Sequence, residues 1–274
     1  MTEKPTFVLG LGAQKAGTSW LHGYLKQSQR ANMGKLKEYH IWDALWIEEF
    51  KEGRVTEKRQ KKGKGKKKHN LRFRLQKKPA NYAAYFHRQV SQDRPITGDI
   101  SPSYSGLTSE HLARIKTLME NAGFAVKVVF LMRDPVDRCW SENRMQMGRQ
   151  QHRRGLTFTQ AKVDARFLKL YTAERTHLRT NYNKTVDSIE RVFSPQDTYF
   201  GFYEDMFTPD RIRALSDFLG VGYDPAFAEV RLNVSKSLIS LDDGLRDACR
   251  AYYDHVYDYC YTRFPQTRTL WQAR

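Results

Sequence analysis

Phe7-Val8-Leu9-Gly10-Leu11-Gly12-Ala13-Gln14-Lys15-Ala16-Gly17-Thr18-Ser19-Trp20 is the stretch that decides the fold. Its first residues form a short apolar run closed by glycines, which reads as a strand at about 7–11. A glycine-rich turn holding a single lysine follows, and Thr18 and Ser19 stand where a helix would begin. Strand, turn and helix start together cradle an anion, because they offer free backbone N–H groups, hydroxyls and one mobile positive charge. Two common phosphate motifs do not fit. Gly12 to Gly17 has the G-x-x-x-x-G spacing of a P-loop, but Thr18 stands where that motif needs its lysine, and the lysine lies inside the loop at Lys15. Gly10-x-Gly12 opens a dinucleotide fingerprint, yet Lys15 occupies the third glycine position. A plain glycine-rich turn in an α/β domain is the alternative reading.

Outward from this stretch, Val126 to Met132 is a second apolar run, interrupted only by Lys127, and reads as a buried parallel strand. It runs into Arg133-Asp134-Pro135-Val136-Asp137-Arg138-Cys139-Trp140-Ser141. An arginine at the carboxyl edge of a parallel sheet points a fixed fork of donors into the ligand crevice. Pro135 suits the first turn of the next helix, and Ser141 falls about two turns along it. Arg133 has a plainer alternative, a strand-end salt bridge to Asp134 or Asp137. Strands are read at about 7–11, 96–100, 126–132 and 197–203. Helices are read at about 18–29, 39–50, 80–90, 108–120, 136–149, 157–192 (as two helices), 209–219 and 242–263. Strands separated by helical segments imply one α/β, P-loop-like three-layer domain over residues 1–274, with a central parallel sheet flanked by helices. Its ligand site is expected where Gly12–Ser19 and Arg133 meet. In the last helix, Leu245, Tyr252, Val256 and Tyr259 form one apolar stripe expected to pack on the domain.

Q-K-A-G-T-S-W-L resembles the 5′-phosphosulfate loop, P-K-x-G-T-[TS]-W-L, of sulfotransferases that use 3′-phosphoadenylyl sulfate (PAPS), with Gln14 in place of the proline. R-D-P-x-x-R-x-x-S resembles the 3′-phosphate site of the same family. The resemblance implies that Lys15, Ala16, Gly17, Thr18 and Ser19 hold the 5′-phosphate, and that Arg133 and Ser141 grip the 3′-phosphate. Arg138 matches the second arginine of the pattern. Lys37-Glu38-Tyr39-His40-Ile41-Trp42-Asp43 resembles the K-E-P-H-F-F-D segment of heparan-sulfate-type and related carbohydrate sulfotransferases, where the glutamate is the proposed general base. A hydroxyl acceptor must lose its proton as it attacks sulfur, and a carboxylate within reach can take it. Glu38 inherits that role, with Lys37 holding it ionised, and His40 is the rival base.

Weaker matches follow. Gly98 to Tyr104 resembles G-E-K-[ST]-P-x-Y, but Ile100 stands at the lysine, which argues against a heparan-like acceptor. Tyr203, in a segment similar to Y-E-D-[LM], lines the nucleotide pocket or is a core tyrosine. Trp20 stacks on adenine or is core. Lys236 lies where relatives keep a late nucleotide-binding loop.

The net charge of +17 is unevenly spread. Residues 51–78 hold 14 Lys or Arg and two acidic residues, a net of +12, and the remainder of the chain carries +5. Such a run reads as a mobile basic insertion. It is a plain surface feature, a collector for an anionic acceptor, or a tether to nucleic acid or membrane. The aromatic interleaving of a single-strand binder is missing, so no nucleic-acid partner is expected. No apolar stretch is long enough to cross a membrane. The first strand begins at about Phe7, leaving no room for a signal peptide, and Cys139, Cys249 and Cys260 are too sparse for a disulfide framework, so a cytoplasmic protein is expected. The whole implies a PAPS-dependent sulfotransferase acting on a hydroxyl or amine, with Glu38 and Lys15 catalytic and no metal. A magnesium-dependent kinase and a non-catalytic polyanion-binding protein are the alternatives.

Overall fold

β1 (Thr6–Gly12) leads through the glycine-rich loop into α1 (Thr18–Gln27), as the opening stretch predicts. The computed structural model describes residues 4–58, 66–230 and 240–272. After α1 come α2 (Trp42–Trp46), α3 (Lys66–Lys77), α4 (Pro79–His87) and β2 (Ile96–Ile100). α5 (Ser109–Asn121) crosses to β3 (Ala125–Met132), which ends in α6 (Pro135–Arg154). α7 (Gln160–Tyr171), α8 (Glu174–Thr180) and α9 (Tyr182–Glu190) lead to β4 (Thr198–Phe202). α10 (Pro209–Leu219), α11 (Asp243–Tyr252), α12 (Asp254–Arg263) and the short α13 (Thr267–Leu270) complete the chain.

The four strands form one parallel sheet in the order β2-β1-β3-β4. Phe7 lies opposite Thr97 on one side and Val126 on the other. Every residue of β1 from Phe7 to Gly12 is buried, with no in–out alternation, which is how a strand covered by helices on both faces reads. Phe7 meets the rings of Tyr82, Phe86 and Phe124 edge-on, tying β1 to α4 and to the entry of β3. The chain leaves β1 toward one side for β2 and returns to the other for β3. That reversal opens a crevice beyond the carboxyl ends of β1 and β3. There the Ala13 amide donates to the Leu131 carbonyl at 2.6 Å, so the loop after β1 sits against the end of β3.

Several sequence-based boundaries change. The helix expected at 39–50 is only α2 followed by a 3-10 turn, Glu48–Gly53, because His40 adopts a left-handed φ of 53°. The segment 157–192 forms three helices, not two. The helix expected at 242–263 breaks at Tyr253, whose hydroxyl donates to the Tyr171 carbonyl at 2.7 Å. The break rephases the buried face to Cys249, Tyr253, Val256, Tyr257 and Cys260, and Tyr252, expected on the packed stripe, is exposed. α3, expected to belong to a mobile run, is a helix that buries Leu71 and Leu75. Among the described residues, no helix is long and apolar enough to cross a membrane.

Candidate active site

The loop between β1 and α1 is shaped by two left-handed residues, Lys15 at φ 70° and Gly17 at φ 93°. Only glycine fits at 17, since a Cβ there would run into the Met206 sulfur. No side chain caps α1, so the amides of its first residues, Thr18, Ser19 and Trp20, face outward from the positive end of the helix. The loop is also held from beneath by three arginines. Arg133 Nη1 donates to the Lys15 carbonyl at 3.3 Å, Arg138 Nη1 to the Gln14 carbonyl at 3.5 Å, and Arg179 Nη1 to Gln14 Oε1 at 3.1 Å. The buried carboxylate of Glu142 bridges Arg138 and Arg179, each at 3.0 Å. Arg179 also donates to Ser103 at 2.9 Å, in the 3-10 turn after β2. Gln14 thus gains an anchor that a proline at that position would not offer.

The crevice above the loop is crowded with cations. Burial pushes the Lys15 ammonium down to about 8, and the charges of Arg133, Arg144, Arg149 and Lys37 push the same way. Arg133 lies over the Tyr203 ring at 4.3 Å and 3.7 Å from Asp137, one of the two strand-end ion pairs foreseen as its alternative role. The Nε atoms of Arg133 and Arg144 are buried with no partner among the described residues. Converging cations are what a multiply charged anion satisfies. A cavity of about 460 Å³ opens beside them, with three arginines (Arg133, Arg246 and Arg250), four carboxylates (Asp134, Asp137, Glu204 and Asp247) and the rings of Tyr203 and Phe207 in its lining. Ser141 sits buried on α6, two turns beyond Arg133.

The Glu38 segment reaches the loop through a chain of side chains. Lys37 Nζ donates to Ser19 Oγ at 2.5 Å and lies 3.3 Å from Glu38 Oε1. Glu38 Oε2 meets His40 Nε2 at 3.1 Å, and His40 Nδ1 meets the buried Asp43 carboxylate at 2.6 Å. Burial alone would raise Glu38, but the hydrogen bond and charge of His40, with Lys37, hold it down at about 2. Burial alone would lower His40, but Asp43 and Glu38 hold it up at about 9. At neutral pH the segment is therefore a carboxylate gripped by two cations. α3 docks on it: Arg72 Nη2 donates to the Glu38 carbonyl at 2.7 Å, and Gln76 Nε2 to the His40 carbonyl at 3.1 Å. Lys68 is close enough to feel the charges of Arg72 and Glu38.

Of the sequence-predicted residues, Arg133 and Tyr203 line the cavity and Arg133 bonds the loop at Lys15, while Lys37 ties Ser19 to Glu38 and His40; Ala16 is buried in the core, and Ser141 is buried on α6. Trp20 takes the second of its two readings: its ring is in the core, stacked on Tyr24 at 5.2 Å, with Nε1 donating to the Phe227 carbonyl. Lys236 lies outside the described residues. Ile100, where relatives carry lysine, is buried against Gly10. Sequence reasoning missed Arg144, Glu142, Arg179, Arg72 and Asp99. Two of them left a signal: Glu142 its i, i+4 spacing from Arg138, and Asp99 its place at the glutamate of the Gly98–Tyr104 match.

Comparison with protein-family models matches residues 5–225 to one described as "Sulfotransferase family". Several solved structures share the fold, three of them as follows. A sulfotransferase from Alicyclobacillus acidocaldarius is 22% identical with a TM-score of 0.58, covering 92% of each chain. The sulfotransferase domain of the Synechococcus PCC 7002 olefin synthase is 18% identical with a TM-score of 0.51, covering 92% of this chain and 89% of its own. The sulfotransferase domain of the curacin biosynthetic pathway is 14% identical with a TM-score of 0.50, covering 93% and 97%. No curated protein matches the chain.

Proposed function

The chain belongs to the sulfotransferase family, and from that premise we propose that it moves a sulfuryl group from PAPS to the hydroxyl of a carbohydrate or other small, anionic acceptor. The observation that carries this reading is the convergence of Lys15, Arg133, Arg144 and the uncapped start of α1. PAPS carries a 5′-phosphosulfate and a 3′-phosphate, and the site offers two matching groups of donors. The amides and hydroxyls of Thr18 and Ser19 suit the 5′-phosphate. Arg133, with Ser141 and Arg144 on α6, suits the 3′-phosphate. The cavity flanked by Tyr203 and Phe207 falls within the size range of small-molecule sites.

In the proposed reaction the acceptor oxygen forms a bond to sulfur while the bond from sulfur to the bridging phosphate oxygen breaks. The acceptor proton passes to Glu38, and the electron pair leaves with the 3′,5′-bisphosphate. Lys15, held in place by the clamped loop, neutralises the charge growing on that leaving oxygen. Glu38 is favoured over His40 as base because His40 is already protonated at neutral pH and has no free lone pair. His40 and Lys37 fix the Glu38 carboxylate in an ionised, oriented state. Much of the acceleration then comes from positioning and charge stabilisation, as in phosphoryl transfer. Lys68 and Arg72, beside Glu38, support an acceptor that itself carries an anionic group.

The test is transfer of label from [35S]PAPS to a panel of carbohydrate, phenolic and simple alcohol acceptors, half of them carrying a carboxylate or sulfate. Transfer dependent on Lys15, and strongest to anionic acceptors, is expected. PAPS left intact with every acceptor, or consumed equally by Lys15→Ala, would refute the reading.

A further inference from the structure

The turn that carries Glu38 and His40 is held by a buried network centred on Asp99, which the proposed chemistry does not use. Asp99, on β2, is fully buried. Its Oδ1 accepts from Ser101 Oγ at 2.7 Å, and its Oδ2 accepts from the hydroxyls of Tyr104 at 2.7 Å and Tyr82 at 3.0 Å. An ionised carboxylate only accepts, so all three hydroxyl hydrogens point at it. Each hydroxyl has a single hydrogen, so Ser101 and Tyr104 present only lone pairs in every other direction. Those lone pairs meet four consecutive amides. Tyr39 N and His40 N donate to Ser101 Oγ at 3.1 and 3.0 Å, and Ile41 N and Trp42 N donate to Tyr104 Oη at 3.1 and 3.4 Å.

The segment so held carries one of the two left-handed non-glycine residues among the described residues, the other being Lys15. His40 sits at φ 53°, a conformation uncommon for a residue with a side chain, which persists only where its surroundings over-determine it. That conformation accompanies the two contacts of the ring, Nε2 on Glu38 and Nδ1 on Asp43. A buried carboxylate facing three hydroxyls is a costly way to fill a core. Here the arrangement has a consequence an apolar filling would lack: it fixes the direction of two hydroxyls, and through them four amides.

We propose that Asp99 is a positioning residue for the proton-accepting site, acting through Ser101 and Tyr104 to hold the His40 turn and so the Glu38–His40–Asp43 chain. This rests on the reading of Glu38 as base. It does not involve the donor site, so the two are separable by experiment.

The test uses Asp99→Asn, Ser101→Ala and Tyr104→Phe in the full chain. An asparagine keeps one accepting oxygen but turns hydrogens toward the other hydroxyls, forcing at least one to swing its own hydrogen at the amides. The readout is the His40 ring titration by NMR on histidine-labelled protein, alongside calorimetric binding of 3′,5′-adenosine bisphosphate. In the unmodified protein His40 should titrate near 9. In Asp99→Asn it should fall toward the ordinary 6.5, with bisphosphate affinity within about twofold of the unmodified protein. Ser101→Ala and Tyr104→Phe, milder and expected to fold, should each lower it part of the way. If Asp99→Asn fails to fold, those two variants decide. An unchanged His40 titration in every folded variant overturns the proposal. Failure of the unmodified protein to bind the bisphosphate overturns the donor reading instead.

Discussion

Replacing Glu142 with glutamine tests whether the loop between β1 and α1 stands on a charged platform. Glu142 is buried and bridges Arg138 and Arg179, each at 3.0 Å, and both arginines bond Gln14. Glutamine keeps one accepting oxygen, so one guanidinium loses its partner outright and the other loses the opposite charge. Two buried cations are then left facing each other without compensation. Removing one member of a buried ion pair costs about 3–5 kcal/mol. For a chain of this size that is a fall in Tm of roughly 6–20 °C, at about 2–4 °C per kcal/mol. Calorimetric or fluorescence melting reads it. Since the released arginines also steady Gln14, affinity for 3′,5′-adenosine bisphosphate should fall about tenfold, or about 1.4 kcal/mol. Glu48→Gln is the control: its ion pair with Lys51 is exposed and screened by water, so its loss should leave the melting temperature essentially unchanged. A Glu142→Gln protein that melts within about 2 °C of the unmodified chain, and binds the bisphosphate as well, would show that the platform is not what supports the loop.

Other consequences follow from the same geometry. Gly17→Ala combines a left-handed φ with a collision at Met206, so it should distort the loop and abolish bisphosphate binding, measured by calorimetry; retained binding would mean the loop is not the phosphate site. Glu38→Gln and Lys15→Ala should each lower turnover of PAPS at least about a hundredfold, about 3 kcal/mol in the barrier, whereas near-normal turnover of Glu38→Gln would remove Glu38 from the mechanism. Stability should also vary with pH. His40 is raised in the fold to about 9, so its contribution is complete below the unfolded value of about 6.5 and is lost as pH climbs through 9. Glu38 is depressed to about 2, so its share of the same interaction holds above about 4.5 and disappears only in strong acid. The stability difference between the unmodified chain and His40→Gln, read by denaturant unfolding, should therefore shrink between pH 6.5 and 9.5 by an amount on the order of 3 kcal/mol, while Lys15, held down to about 8, changes both proteins alike in the opposite sense.

Much of this site could be read from the chain because its logic is local. The β1–loop–α1 unit carries its own instructions: an apolar run, glycines where the backbone must turn left-handed, and a helix start without a cap. β3 and Arg133 were legible for the same reason. What escaped was set by distant partners. His40 looks like a helical residue until Ser101 and Tyr104, some sixty residues away, pull four amides out of helical pairing. Tyr253 breaks a regular amphipathic stripe because its hydroxyl finds the Tyr171 carbonyl. α3 reads as a solvated charge run, since eight of its twelve side chains are lysine, arginine, histidine or glutamine, but Leu71 and Leu75 dock it and Arg72 then reaches the Glu38 carbonyl. Trp20 invited a ligand-stacking role from its place beside the loop, yet the indole points into the core, where Tyr24 and Phe227 receive it.

Titration of the purified chain with 3′,5′-adenosine bisphosphate, with 5′-AMP and ATP–Mg²⁺ as controls, comes first among these experiments. Micromolar binding that needs the 3′-phosphate, and that Arg133→Ala weakens at least about tenfold (about 1.4 kcal/mol), is expected if Arg133 and the start of α1 hold the donor as proposed. Binding that ignores the 3′-phosphate, or a preference for ATP with magnesium, would mean that this site serves a different ligand.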